Sequence, residues 1–375
     1  MDDNVSMEDA IAHIHNRHKV TGPELQETQT FKARCHCGNI QFSVTLATSI
    51  LPLNAGICAC TMCRYSHGTF GAYHATLPPG VTPEWTNNSI NLSVYKTPGG
   101  GAGGHGQRLF CSLCGAHNGH FEPWISQWII DISLFDGPVF WKYVAFGFPK
   151  SNGDGGILSW LPSVGGKEMI QVSPDHDSAP EYEVQVGKNG EERLRAECLC
   201  GGVSFTIPRP SDEVRKDEYL SKYISPSDPR KWKALLDFCR DCRLVSSVNG
   251  MPWVLVPRAV LEPEVPSDLR IGTMKTYESS DKGIRAFCGK CGATVFGKAK
   301  ARSPSERQEV INVAVGILRA PEGAKAENWV TWRAGKPTWA EDAMKYDPEF
   351  VGAVVEGQKK WSLEKYGEAP DFDCL

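Results

Sequence analysis

Cys58, Cys60 and Cys63 place three thiols within six residues, in the run Cys58-Ala59-Cys60-Thr61-Met62-Cys63-Arg64. Three thiolates with no fourth ligand beside them are how a zinc ion is held with one position left for water or substrate. Such an ion carries a net charge near −1, and Arg64, next in sequence, is expected to offset it. His67 and His74 stand downstream as candidate proton carriers, with Tyr65 a further candidate. His67 is also the alternative fourth ligand, which would close the site and make it structural.

The other cysteines fall in pairs. Cys35-His36-Cys37-Gly38 precedes the triplet, and Cys111-Ser112-Leu113-Cys114-Gly115-Ala116 follows it. The same order returns as Cys198-Leu199-Cys200-Gly201, then Cys239-Arg240-Asp241-Cys242-Arg243, then Cys288-Gly289-Lys290-Cys291-Gly292-Ala293. Arg108-Leu109-Phe110-Cys111 is matched by Arg285-Ala286-Phe287-Cys288. A duplication accounts for this economically. Each CxCG plus its distant CxxCG supplies four thiolates, so Cys35, Cys37, Cys111 and Cys114 form one expected structural zinc site. Cys198, Cys200, Cys288 and Cys291 form the other. Disulfides are the alternative, disfavoured by the short CxC ring and by a reducing compartment. In the second copy, Asp237 stands opposite Cys58 and Ser246 opposite His67. An Asp237, Cys239, Cys242 site is still able to hold zinc, but that copy is expected to be degenerate or accessory. The expected zinc content is thus two structural ions, one catalytic ion and room for one more.

The elements that must carry these residues are mainly strands. Alternation at Ile40, Phe42, Val44, Leu46 and at Val203, Phe205, Ile207 reads as half-buried strand. Ile130–Leu134 and Ile311–Ile317 are strand candidates after each late CxxCGA. The organisation expected is an appendage over 1–30, a zinc β module over 31–148, a polar linker over 149–191, a second module over 192–345 and a tail over 346–375. Trp124, Trp128, Trp141, Trp329, Trp332 and Trp339 are expected in core or cleft walls. The glycine-rich run Gly99–Gly106 reads as a flexible connection, the cluster His13, His15, His18 as a solvated helix face, and Cys374 as a bystander thiol. The balance of 40 Lys+Arg against 44 Asp+Glu gives no reason to expect nucleic acid or an anionic membrane as partner. The polar start Met1-Asp2-Asp3-Asn4 and the lack of a long apolar run point to a cytoplasmic protein.

The motif set CHCG, CxCxxCR and CSLCGA resembles that of the glutathione-dependent formaldehyde-activating enzyme family, also called centromere protein V-like, over about residues 31–145 and again 192–345. The resemblance implies two tandem Mss4-like zinc-binding β modules with short helices. It implies structural zinc on the CxCG and CxxCG cysteines, and catalytic zinc on Cys58, Cys60 and Cys63 beside a glutathione site. The reaction implied is that of a carbon–sulfur lyase, adding a thiol to formaldehyde to give S-(hydroxymethyl)glutathione, with a small thiol adduct or aldehyde as partner. Two alternatives stand beside it: a non-enzymatic zinc scaffold, and the same chemistry on a specialised metabolite.

Overall fold

Alternation decides the small sheets. Phe42, Val44 and Leu46 are buried on the Gln41–Ala47 strand, which pairs antiparallel with Thr28–Arg34 from Thr28↔Ala47 to Arg34↔Gln41. In the second copy Ser204–Pro208 pairs in the same way with Glu192–Glu197. The computed structural model describes residues 27–86, 90–97 and 107–373. The expected helix at the N-terminus, the His13–His18 cluster, the Gly99–Gly106 run and Cys374 lie outside these residues.

The large sheets carry the duplication. In the first copy the strands run in the order Trp141–Gly147, Leu53–Cys58, Ala72–Thr76, Gln127–Asp131, His117–Glu122, Arg108–Cys111, Leu92–Tyr95. In the second they run Val330–Trp332, Trp232–Asp237, Met251–Pro257, Val310–Ala314, Thr294–Ala299, Gly283–Cys288, Met274–Ser280. The first two strands of each list are parallel and the rest antiparallel. The chain is mainly β, in two sheet-rich halves with few short helices. Both late strands stop earlier than alternation suggests. Ile132–Leu134 and Val315–Ile317 are buried 3-10 turns.

These two turns bind the copies together. The Thr61–His67 helix packs on Val315–Ile317, and the Arg240–Ser246 helix packs on Ile132–Leu134. The Gly316 amide donates to the Gly68 carbonyl at 3.1 Å, and Ser247 Oγ donates to the His117 carbonyl at 2.8 Å. The hydrophobic core is continuous across both halves. Gly68 closes its helix at φ 75°, and a Cβ there would stand 2.2 Å from the Thr294 carbonyl oxygen. Gly68→Ala is therefore expected to destabilise the chain by about 3 kcal/mol, from backbone strain plus overpacking. Urea unfolding measures this, and a loss below about 1 kcal/mol would contradict so close an approach.

The joint between the copies is packed, not free. Ile170–Val172 adds to the first large sheet as a parallel strand beside Trp141–Gly147. Trp160 is fully buried, with its ring 5.0 Å from Trp332 and 5.4 Å from Trp361 on the long Pro348–Tyr366 helix. That helix returns over the first copy, where Phe350 meets Tyr143 and Tyr73. Of the tryptophans expected inside, Trp124 and Trp339 are exposed instead, at 61% and 53%. Each lies in a turn rather than on a strand face. Among the described residues no helix is long and apolar enough to cross a membrane.

Candidate metal centres

The CxCG turn leaves the first strand of each small sheet, and the CxxCG turn joins two strands of each large sheet. Folding brings the four sulfurs of each set within 4.8 Å of one another. Cys35 and Cys37 sulfurs lie 3.4 Å apart and Cys37 and Cys111 3.6 Å. In the second copy Cys198 to Cys200 is 3.6 Å and Cys200 to Cys288 is 3.5 Å. All thirteen described cysteines are unbridged. Four sulfurs on a tetrahedral zinc stand roughly 3.8 Å apart, given Zn–S bonds of about 2.3 Å. The donor set therefore fits the ion. Amides of Ile40 and Val203 point at Cys35 and Cys198 at 3.3 Å, stabilising thiolate in both.

The triplet has a different origin. Cys58 ends the Leu53–Cys58 strand, Cys60 caps the following helix, and Cys63 lies in its first turn. Cys60 Sγ accepts from the Cys63 amide at 3.4 Å, and Cys58 and Cys60 sulfurs are 3.5 Å apart. All three fall within 4.8 Å, and no fourth His, Cys, Asp or Glu joins them among the described residues. Met62, Ala72 and Phe148 pack around them. The three thiols share protons, and the hydrogens of Cys58 and Cys60, with the help of Arg108, hold Cys63 well below the usual thiol range.

Arg64 does not offset this charge. Its guanidinium turns away to Tyr65 Oη at 2.6 Å and Asn152 Oδ1 at 3.4 Å. Arg108 takes the role: it is buried, and its Nη2 lies 3.6 Å from Cys63 Sγ. Tyr65 is also turned away, against Tyr182 and under the Arg319 guanidinium. His67 is not a fourth ligand, because both ring nitrogens are engaged. Nδ1 meets the Cys63 carbonyl at 3.0 Å and Nε2 meets Asp131 Oδ1 at 3.3 Å.

Beside the triplet stands a group of which sequence reasoning named His67 and His74 but missed Asp131, His117 and His120. Asp131 is buried between His67 and His74, whose Nε2 is 3.1 Å from the same oxygen. His117 stacks on His67 at 4.1 Å, and His120 lies 5.8 Å from His74. Burial pushes the Asp131 carboxyl up, but His74 and His67 outweigh it and hold it below the ordinary carboxylate range. Burial likewise opposes charge on His74, and Asp131 overcomes it and raises the imidazole above its usual value. Burial pushes His117 and His120 well down, so both stay neutral. The sequence signal was modest: two histidines directly after CSLCGA and one acid on an apolar strand.

The second copy lacks this group. Register places Trp253 opposite His74 and Ala314 opposite Asp131. Helix position places Ser246 at His67, and the CxxCGA alignment places Thr294 at His117 and Gly297 at His120. The Trp253 ring fills the space, 3.5 Å from where a Cβ on Gly297 would stand. Asp237, Cys239 and Cys242 nevertheless converge within 4.8 Å. Cys239 caps its helix as Cys60 does, and Asp237 Oδ1 accepts from the Cys239 amide at 2.8 Å.

A family model described as "Glutathione-dependent formaldehyde-activating enzyme" matches residues 30–142 and again 223–333. No curated protein matches the chain. The second match takes in Cys239, Cys242, Cys288 and Cys291 but begins after Cys198 and Cys200, which folding supplies from the preceding turn.

Proposed function

The chain belongs to the glutathione-dependent formaldehyde-activating enzyme family, and from this we propose that its first copy works as a zinc-dependent carbon–sulfur lyase. The reaction is reversible addition of the glutathione thiol to formaldehyde, giving S-(hydroxymethyl)glutathione. The observation that carries this reading is the three-thiolate set without a fourth protein ligand among the described residues, beside a buried carboxylate–imidazole group. Cys58, Cys60 and Cys63 would hold the catalytic zinc, and the two four-cysteine sets the structural ions. When bound, zinc supplies an open position at which a thiol is held as thiolate.

The residues of the chain do the rest. Arg108 balances the net negative charge of three thiolates around a divalent ion. Met62, Ala72 and Phe148 keep the sulfurs in an apolar wall, which strengthens every charge interaction there. In the forward direction the carbon–sulfur bond forms as the carbonyl double bond opens, and the oxygen takes a proton. His74 carries that proton, and the Asp131 carboxylate, 3.1 Å from its Nε2, stabilises the charged imidazole by ion pairing. In reverse, His74 recovers the proton as the bond breaks.

The test is ¹³C exchange spectroscopy on formaldehyde and glutathione with the zinc-loaded chain. Exchange between free and thiol-bound carbon is expected to accelerate at least ~100-fold, the scale of positioned acid–base help. A rate equal to the protein-free mixture would sink the reading. Asp131→Asn removes the charge that stabilises the charged His74 imidazole, and is expected to slow exchange by about 10–100-fold with zinc content unchanged. An unchanged rate, or loss of zinc, would assign Asp131 another role.

A further inference from the structure

The second copy has lost its proton carriers but not its metal-type donors, and it opens on space the first copy does not share. A cavity of about 810 Å³ lies where the second copy meets the first copy's Phe135–Pro138 segment and the C-terminal helices. Its walls include Cys239, Arg240, Arg243, Asn249, Asp136 and Tyr346. Cys239 belongs to the Asp237, Cys239, Cys242 set, so that set borders the cavity directly.

We propose that this set holds a zinc ion of its own, with its fourth position facing the cavity between the copies, and that the ligand taken there is a small anionic thiol which is bound and not turned over. The donors fit zinc, which accepts carboxylate oxygen alongside thiolate. One oxygen of Asp237 is held by the Cys239 amide at 2.8 Å, which fixes the carboxylate and leaves the other oxygen for an ion. The charge count also fits. Two thiolates and one carboxylate on a divalent ion leave −1, the same as three thiolates in the first copy. Arg285 occupies the sequence position of Arg108, and its buried Nε has no hydrogen-bond partner among the described residues. Arg285 faces Cys242, Cys239 and the Asp237 and Asp241 carboxylates, so a cation already balances the donor set, as Arg108 does in the first copy.

The cavity wall selects the ligand's charge. Asp136 is the one carboxylate met by three guanidiniums, Arg34 at 2.6 Å, Arg240 at 2.9 Å and Arg243 at 3.2 Å. The wall carries Arg240, Arg243 and Lys345 against Asp136 and Asp342, which leaves one positive charge in excess. A thiol entering gives its proton to water and binds as thiolate, and its own carboxylate meets the excess charge. With Trp253 and Ala314 in place of His74 and Asp131, the first copy's imidazole–carboxylate pair has no counterpart here, so the bound thiol is held rather than converted. This inference does not depend on the reaction proposed for the first copy.

Two measurements test it on the full-length chain. Zinc per chain, by native mass spectrometry, is expected to be four in the wild type and three in both Cys239→Ser and Asp237→Ala. Three in the wild type with no change in either variant would overturn the metal site. The cobalt-substituted Cys60→Ser chain is then titrated with glutathione. A shift of the sulfur-to-cobalt absorption that disappears when Cys239→Ser is added supports the open position. No shift in the single variant overturns it. Turnover enters neither readout, so failure here is separable from failure of the lyase reading.

Discussion

A chain carrying Cys111→Ser is expected to lose the cooperative fold of its first copy. Cys111 is fully buried at the end of the Arg108–Cys111 strand, and with Cys114 it closes a set whose other two members, Cys35 and Cys37, come from a turn some seventy residues earlier. A structural zinc contributes apparent folding energy of about 10–16 kcal/mol. A whole domain is stable by only about 5–15 kcal/mol. Serine offers no thiolate, so losing this one ligand removes an amount comparable with everything the fold has. The damage should spread. The first copy's Phe110 ring lies against Gly292 of the second, and the second copy's Phe287 lies against Gly115. The two staples therefore support one another through this reciprocal contact, and thermal unfolding should broaden or disappear in both halves. Circular dichroism and tryptophan fluorescence measure it. A melting temperature within about 5 °C of the wild type, where 1 kcal/mol moves a chain of this size by ~2–4 °C, would show the staple to be dispensable.

Much of this was legible in the cysteines. Their order predicted two copies, and seven strands of each large sheet repeat in the same order and sense, including one parallel pair. Alternation at Phe42, Val44, Leu46 and at Val203, Phe205, Ile207 marks side chains that are all buried. The copies' inequality was partly legible too, through Asp237 and Ser246.

What sequence order hid was contact between strands. Arg64 is Cys63's neighbour in the chain, but one residue along a helix turns about 100° away from the metal face. Arg108 reaches Cys63 from a strand forty-five residues later. The Asp131 group arises from residues on one helix and three strands, and strand pairing such as His74↔Asp131 joins them. No spacing rule marks such a group. The 3-10 turns at Ile132–Leu134 and Val315–Ile317 were hidden for a related reason: their apolar residues serve the other copy, which local alternation does not reveal. The joint reads as polar and turn-rich, yet Trp160 within it is fixed by Trp332 and Trp361 from distant segments.

Cys60→Ser is expected to remove turnover and leave the fold. Cys60 lies between Cys58 and Cys63 in the triplet and caps the Thr61–His67 helix through its sulfur. Serine is a good cap, so the helix start survives. It is a poor zinc ligand at neutral pH, so the metal loses one of three anchors and the position it keeps open. Loss of the group that makes a thiolate available should cost ~10³-fold or more, about 4 kcal/mol of barrier. Both four-cysteine sets lie outside the change, so zinc should fall by one ion per chain and the melting temperature should hold. The second copy offers no rescue, since Trp253 and Ala314 replace the groups that would carry the proton.

The most direct test of the central claim, that the first copy alone does the chemistry through an open three-thiolate metal, is formaldehyde–glutathione exchange in the Cys60→Ser chain with both four-cysteine sites filled. The account predicts the rate of the protein-free mixture. Exchange at the wild-type rate in that variant would contradict it.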